Sequence, residues 1–306
     1  MKAAIVRAAG QTPAYGDFVE PTPAPGENRI SVAAAALSPL ARARAAGAHY
    51  SVSGAYPAVA GVDGVGRLDD GRRVYFVAPR PPWGAMAEHA VAPATQCAPV
   101  PDALDDVMAA AIANPGMSSW AAFKERARLE AGESVLINGA TGSAGRLAVQ
   151  IARHFGAKRV VVTGRNPDAL RALDADAMIP LVNDDAGLEA SFGRAFEAGK
   201  SAERLLAAAA KILPDGKPLR FVQIGSISGS NIALPGAALR AKAITLMGSG
   251  LGSVPLGRLA VDIGEFLQAA ASRDFRIPAK AVPLADVERA WGEAGDARTV
   301  FTIAAR

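Results

Sequence analysis

The stretch Ser134-Val135-Leu136-Ile137-Asn138-Gly139-Ala140-Thr141-Gly142-Ser143-Ala144-Gly145 decides the fold. Its first five residues read as a strand, and the chain passes straight from them into glycines. Beyond the glycines, apolar residues recur at Ala144, Leu147, Ala148, Ile151, Ala152 and Phe155, three and four residues apart, which is one face of a helix. Strand, glycine turn and helix start in that order put free backbone N–H groups and the positive end of a helix dipole where a pyrophosphate can sit. Glycines suit that place because a Cβ blocks close approach. The spacing departs from G-x-G-x-x-G, since both Ala140 and Thr141 separate Gly139 from Gly142. A tight packing turn is the competing reading. Dinucleotide binding is favoured by the helix that follows and by a second strand at Val160-Val161-Val162.

The end of that second strand says which dinucleotide. An acidic residue about 20 positions after the glycines would hold the ribose 2′-hydroxyl of NAD. At that place the chain reads Gly164-Arg165-Asn166, with no carboxylate. A guanidinium suits a 2′-phosphate, so NADP is the expected cofactor. Arg165 also reads as a solvated surface residue, with Asn166-Pro167 as cap and first position of a helix. Two further clusters, Gly225-Ser226-Ile227-Ser228-Gly229 and Gly248-Ser249-Gly250-Leu251-Gly252-Ser253, follow the apolar runs Leu219–Gly225 and Ala243–Gly248. Both are expected at the carboxyl ends of parallel strands, where ligands sit in open α/β sheets, either as backbone walls of a nicotinamide pocket or as plain turns.

Outward from this centre the chain has two textures. Its first hundred residues are rich in Pro and Gly, with short β-like runs at Lys2–Val6, Arg29–Ala35, Gly64–Leu68, Arg73–Val77 and Ala87–Val91. Helical patterns follow at Asp105–Ala113 and, after Asn114-Pro115-Gly116, on to about Arg128. From Ser134 strands alternate with helices, which implies a parallel sheet covered on its faces. Further strands are expected at Arg159–Thr163 and Ala177–Leu181, and a helical stretch at Ser201–Lys211. The tail holds helices at Leu256–Ala271 and Leu284–Gly292 and a last strand at Arg298–Ile303. The domain reading is 1–113 and the C-terminal return 254–306 around a dinucleotide domain at 114–253.

Composition sets the class. The 306 residues suit two domains at roughly 150 residues each. With 50% hydrophobic and 20% charged residues the chain reads as globular, and no run approaches the roughly 18 apolar residues of a membrane span. The opening Met1-Lys2-Ala3-Ala4-Ile5-Val6-Arg7 lacks the apolar stretch of a secretory signal, so a cytoplasmic protein with no membrane partner is expected. Net charge is +4, but the basic residues are scattered, which does not advertise nucleic acid. One cysteine, Cys97, and three histidines, His49, His89 and His154, leave no supply for a Cys-rich zinc site or a disulfide framework, and no metal is expected.

The ordered motifs resemble the medium-chain dehydrogenase/reductase superfamily, in its zinc-free, zeta-crystallin-like quinone oxidoreductase branch. Leu37-Ser38-Pro39 with Arg44-Ala45-Ala46-Gly47 resembles the family's Asn-Pro-x-Asp…Arg-x-Gly segment. Pro57–Gly66 is similar to the stretch where zinc enzymes carry Gly-His-Glu, here Gly61-Val62-Asp63. Gly71-Arg72-Arg73-Val74, Gly84-Ala85-Met86-Ala87-Glu88 and Ala109–Ser119 continue the match into the glycine loop.

The resemblance implies an α/β chain: a GroES-like, β-rich catalytic domain built from both chain ends, and a Rossmann-type parallel sheet between them. It further implies hydride transfer from NADP(H) to a quinone or to the C=C bond of an enal or enone, and a homodimer. Tyr50 and Ser38 are the candidate catalytic residues. Tyr50 is read as a hydrogen-bond donor to the developing oxyanion or as an aromatic lid, with Ser38 and backbone amides near Gly225 and Gly250 in support. Ser118 resembles the family's Thr on the nicotinamide side, and reads otherwise as a helix cap. The cofactor set is then Ser118, Gly139, Ala140, Thr141, Gly142, Ser143, Ala144, Gly145, Gly164, Arg165, Asn166, Gly225, Ser226, Ser249 and Gly250.

Departures from the family accompany the match. Ser38 stands where the branch has Asn, and Ala41 where it has Asp. Between Ala186 and Lys217 the family's Val- and Asp-rich strand is missing, because Phe196-Glu197-Ala198-Gly199 runs into the helical Ser201–Lys211. The expectation is a five-stranded sheet in the order 3-2-1-5-6, or else a chain break near Gly199-Lys200. The competing functions are a non-catalytic NADPH-binding sensor or RNA-associated protein, and an NADP-dependent alcohol or carbonyl oxidoreductase.

Overall fold

The computed structural model describes residues 1–48, 56–181, 201–225, 231–250 and 252–304. The chain divides into two units, Met1–Met117 with Leu256–Arg306, and Ser118–Pro255.

The first unit is β-rich. Strands β1 (Lys2–Val6), β2 (Ala14–Asp17), β3 (Glu27–Ala36), β4 (Ala58–Val59), β5 (Asp63–Leu68), β6 (Arg73–Val77), β7 (His89–Pro93) and β8 (Cys97–Pro99) precede the helix-rich part of the chain. One small sheet runs β2-β1-β4. A larger one runs β14-β15-β3-β5-β6-β8, with β7 also on β3, where β14 is Ala279–Pro283 and β15 is Arg298–Thr302. The C-terminal strand β15 pairs antiparallel with β3 through Val300↔Ala36 to Thr302↔Ala34, so the returning chain completes the sheet. The core of this unit gathers Ile30, Val32, Phe76, Met86, Val287 and Phe301. Each such large side chain contributes roughly 1.5–3 kcal/mol through its removal from water. Helix α1 (Pro39–Ala45) buries Ala41 and Ala45 on the same core.

Two expectations change in this part. The helical stretches on either side of Asn114-Pro115-Gly116 are one helix, α2 (Asp106–Ala121), which continues into a π-helical turn at Ala122–Ala127 and stops where Arg128 turns left-handed. A Pro-Gly pair ordinarily ends a helix. Tertiary packing overrides it here: a Cβ on Gly116 would stand 2.1 Å from the ring of Phe266, so the missing side chain is the seat of that buried phenyl on α7 (Leu256–Arg273). The strand expected at Ala87–Val91 lies at His89–Pro93, while Ala87 makes an isolated bridge to Ala3. The short strands β2, β4, β8 and β14 carry no pattern long enough to read from sequence.

The second unit carries the parallel strands. Strands β9 (Ser134–Asn138), β10 (Arg159–Gly164) and β11 (Ala177–Pro180) form a sheet in the order β11-β10-β9. Helix α3 (Ser143–His154) buries Leu147, Ala148, Ile151 and Ala152, the face read from its spacing. With Ile137, Val160, Val162 and Leu170, the alanines of that face make a compact cluster. Helix α4 (Pro167–Arg171) follows β10, and α5 (Ser201–Ile212) leads to β12 (Leu219–Gln223), α6 (Gly236–Ala241) and β13 (Ile244–Gly248).

The single five-stranded sheet is corrected. Among the described residues β12 and β13 pair only with each other, from Leu219↔Ile244 to Gln223↔Gly248, as a separate two-stranded parallel sheet. Among the described residues no strand lies between β9 and β12, the place of the family's Val- and Asp-rich strand, so neither has a ladder partner on that side. A side-chain bridge stands near this place instead. Arg220 donates to the carbonyls of Ala127 and Arg128 and pairs with the carboxylate of Glu133, one residue before β9. The junction at Gly199-Lys200 lies outside the described residues.

Candidate functional site: a glycine-loop dinucleotide cradle

The loop after β9 is closed by hydrogen bonds of its own and leaves the first amides of the following helix free for a ligand. Strands β9 and β10 run in register from Ser134↔Arg159 to Asn138↔Thr163, and Thr163 Oγ1 donates to Asn138 Oδ1 at 2.7 Å. The chain then turns at Gly139 with φ +74°, a left-handed conformation that glycine adopts without penalty. Ala140 N donates back to Thr163 O at 2.9 Å, and Gly142 N to Gly139 O at 3.2 Å. Gly142 is the N-cap of α3 and supplies no side-chain acceptor, so Ser143, Ala144 and Gly145 present their amides outward from the helix start. Gly145 lets the helix sit directly on the loop: a Cβ there would lie 2.4 Å from Gly139 O and 2.5 Å from Ala140 Cα. At the neighbouring strand end Gly164 faces Thr141, whose Cγ2 would be 3.1 Å from a Cβ on Gly164.

Charge follows the same logic. The first turn of α3 holds no acidic residue. Arg146, which sequence reasoning missed, folds back with Nε donating to Thr141 O at 2.9 Å. Its signal was legible as a basic residue in the first turn after the glycines. Beyond Gly164, Arg165 is exposed and has no acidic partner among the described residues. The nearby carboxylate of Asp168 is taken by Arg171. Asn166 Oδ1 caps α4 by accepting from Asp168 N at 3.0 Å and Ala169 N at 3.1 Å. Cap and free guanidinium coexist.

Other members of the expected set fall out differently. Ser118 lies inside α2, three residues before its end, so it is not a helix cap. Its neighbour Ser119, also missed, is buried and donates from Oγ to Ala144 O at 3.0 Å, tying α2 to the first turn of α3. Gly250 does not offer a free amide: its N–H donates to Ser253 Oγ at 2.8 Å, which corrects its expected role as an oxyanion donor. Ser249 is buried, its N–H donating to Gln223 O at 2.9 Å, and Gly225 O accepts from the Gln223 side chain. Ser226, His49 and Tyr50 lie outside the described residues. His154 packs in an aromatic group with Trp120 at 5.4 Å and Phe155 at 5.6 Å between ring centroids.

In the β-rich unit, Ser38 is buried and works as the N-cap of α1, its Oγ accepting from Ala41 N at 3.0 Å. Asp63, in the segment that resembles the zinc branch's Gly-His-Glu, sits in a buried polar group of four elements. It accepts from Tyr75 Oη at 2.9 Å and from Asn114 Nδ2 at 3.1 Å. Burial pushes its carboxyl above the ordinary value, against the opposing pull of Arg298. Burial also drives the Tyr75 phenol well up, and it lowers the Arg298 guanidinium, whose Nε and Nη2 are enclosed without hydrogen-bond partners among the described residues. Burial raises the Cys97 thiol as well. No group of three or more His, Cys, Asp or Glu suited to a metal ion occurs among the described residues. No described helix is long and apolar enough to cross a membrane.

Comparison with known proteins gives this geometry a lineage. No family model matches the sequence. The chain is 25% identical over 331 residues to a probable NADPH-dependent quinone reductase of Emericella nidulans, covering 91% of this chain and 92% of that protein. A shorter match, 29% over 104 residues, covers 34% of this chain and 29% of a trans-enoyl reductase of Aspergillus terreus. The solved quinone oxidoreductase of Thermus thermophilus, described alone and in complex with NADPH, has a TM-score of 0.79 at 27% identity, over 99% of this chain and 100% of that one. Over its whole length the chain is similar to the quinone oxidoreductase-like medium-chain dehydrogenase/reductases. The cradle is a fit to NADP(H): the helix amides carry no side-chain cap, the first turn of α3 holds no acidic residue, and two guanidiniums, Arg146 and Arg165, lie beside it.

Proposed function

We propose that this chain is an NADPH-dependent oxidoreductase that reduces a quinone, or the C=C bond of an enal or enone. The observation that carries the cofactor choice is Arg165: an exposed guanidinium at the end of β10 with no acidic partner among the described residues, while Asp168 is held by Arg171. When bound, NADPH supplies the hydride. The chain's own residues bind and orient it. Amides of Ser143, Ala144 and Gly145 and the α3 dipole hold the pyrophosphate. Arg165, with Gly164 and the Asn166 cap beside it, receives the 2′-phosphate. Ser118, Gly225, Ser226, Ser249 and Gly250 are assigned to the walls around the nicotinamide. Ser38 shapes the substrate floor through its cap on α1, and Tyr50 meets the substrate.

The two units are assigned as substrate domain and NADPH domain, in a cytoplasmic homodimer. The dimer rests on family resemblance, and light scattering on the purified chain measures it. The decisive experiment is NADPH and NADH oxidation with a panel of quinones and enones, for the parent and Arg165→Asp. NADPH preferred by the parent, and NADH preferred by the variant, is expected. Equal use of both by the parent defeats the cofactor assignment, and NADPH binding without turnover of any acceptor identifies a non-catalytic sensor.

A further inference from the structure

The β-rich unit contains a pocket that the dinucleotide chemistry does not use. It is walled by Val62, Tyr56, Pro81, Pro82 and Trp83, and among the described residues Arg44 of α1 is the only charged one in its lining. No Asp or Glu among the described residues lines it. Arg44 is half-buried and has no acidic partner among the described residues. Its neighbours show the contrast. Arg80 is paired with Glu27 at 2.9 Å and lies 4.7 Å over the Trp83 ring, and Arg42 donates to Glu293 O at 3.2 Å. Trp83 is fixed from two sides, because its Nε1 also donates to Val19 O at 3.0 Å. A second polar group is unused. The Tyr56 hydroxyl is enclosed and has no hydrogen-bond partner among the described residues.

A partly desolvated guanidinium without a counter-charge and a buried hydroxyl without a partner are both costly in a folded protein. They become favourable when a ligand supplies acceptors. Guanidinium geometry matches a carboxylate with two parallel hydrogen bonds. The pocket is open and about 70 Å³ in volume, so its lining, a held indole with prolines, valines and alanines, takes the carboxylate end of a flat apolar body whose remainder projects beyond the rim.

We propose that this pocket is a binding site for planar, apolar carboxylates, with Arg44 as the carboxylate receptor and Trp83 with Pro81 and Pro82 as the walls for the ring or enoyl body. The site lies wholly within the β-rich unit and requires no NADPH, so it stands or falls separately from the cofactor assignment.

Titration calorimetry on the full chain without NADPH tests it, with 2-naphthoate as the probe and 2-naphthalenemethanol as its neutral counterpart. Naphthoate is expected to bind the parent at least tenfold more tightly than the alcohol. Arg44→Gln should erase that difference by weakening naphthoate alone, and Trp83→Leu should weaken both. Equal affinity of acid and alcohol for the parent, no binding of either, or an undiminished preference in Arg44→Gln overturns the proposal. Should Arg44→Gln fail to fold, the acid-to-alcohol ratio of the parent and the Trp83→Leu result decide it.

Discussion

The phenol of Tyr75 donates a 2.9 Å hydrogen bond to the carboxylate of Asp63, and neither residue is more than 1% exposed. A carboxylate so enclosed depends on its surroundings for every favourable contact. Tyr75, Asn114 and Arg298 supply them from β6, α2 and β15, so the group joins both ends of the chain inside one unit.

Arg298→Met is expected to destabilise the protein, and more so at higher pH. Burial holds the Asp63 carboxyl above its unfolded value, so the folded state binds this proton more readily. Stability from the group is greatest below the unfolded value of about 3.9 and falls as pH rises to the folded one. Arg298 opposes that rise, and its removal widens the window over which stability is lost. Urea unfolding at a pH below that unfolded value and again at a pH well above it should show the loss growing with pH, to about 3 kcal/mol at the higher. A loss of the same size at both pH values contradicts the pairing.

Gly145→Ala should separate α3 from its loop. The new Cβ would stand 2.4 Å from Gly139 O, and neither backbone segment can yield without moving the helix start. Destabilisation of about 1–3 kcal/mol is expected from the overpacking. NADPH affinity, read from quenching of protein fluorescence, should fall at least tenfold. An unchanged affinity would show that the helix amides do not hold the cofactor.

Ser38→Ala should cost about 1 kcal/mol of unfolding free energy through loss of the α1 cap. Ser38→Thr keeps the oxygen and should recover most of it. Equal losses in the two variants would mean that packing, and not the bond to Ala41 N, sets the cost.

Tyr50 separates two chemical roles. As a donor to the developing oxyanion, its replacement by Phe should lower kcat and kcat/KM together. As a packing face, it should tolerate Phe, while Tyr50→Ala raises KM with kcat intact. Packing is the expected outcome, because a reduced quinone can take its proton from water. Unchanged kinetics in Tyr50→Ala removes the residue from the site.

What could be read from sequence and what could not divides along physical lines. β9, α3 and β10 were legible because their periodicity is local and the glycines between them do a backbone job no other residue does. Arg165 was found by distance from the loop alone, but its freedom from Asp168 required the fold. The continuity of α2 through Pro115 was hidden, because the ring of Phe266 that occupies the space at Gly116 comes from 150 residues further along the chain. Ser119 gave no signal distinct from Ser118, and the capture of the Gly250 amide by Ser253 depends on a turn whose geometry composition does not report. The partners of Asp63 come from four elements, and only assembly brings them together.

The absence of a ladder between β9 and β12 among the described residues has a kinetic consequence. Amide protons in β10, paired on both sides by β9 and β11, should exchange with solvent only through wide opening of their unit, whereas β12 and β13 each have one partner strand among the described residues, and half-exposed side chains. The two halves should therefore exchange deuterium as separate blocks, with the Arg220 bridge as their fastening. A protein in this condition can loosen the β12–β13 half, and the Gly225 and Ser249 segments that follow it, while the glycine cradle keeps its shape.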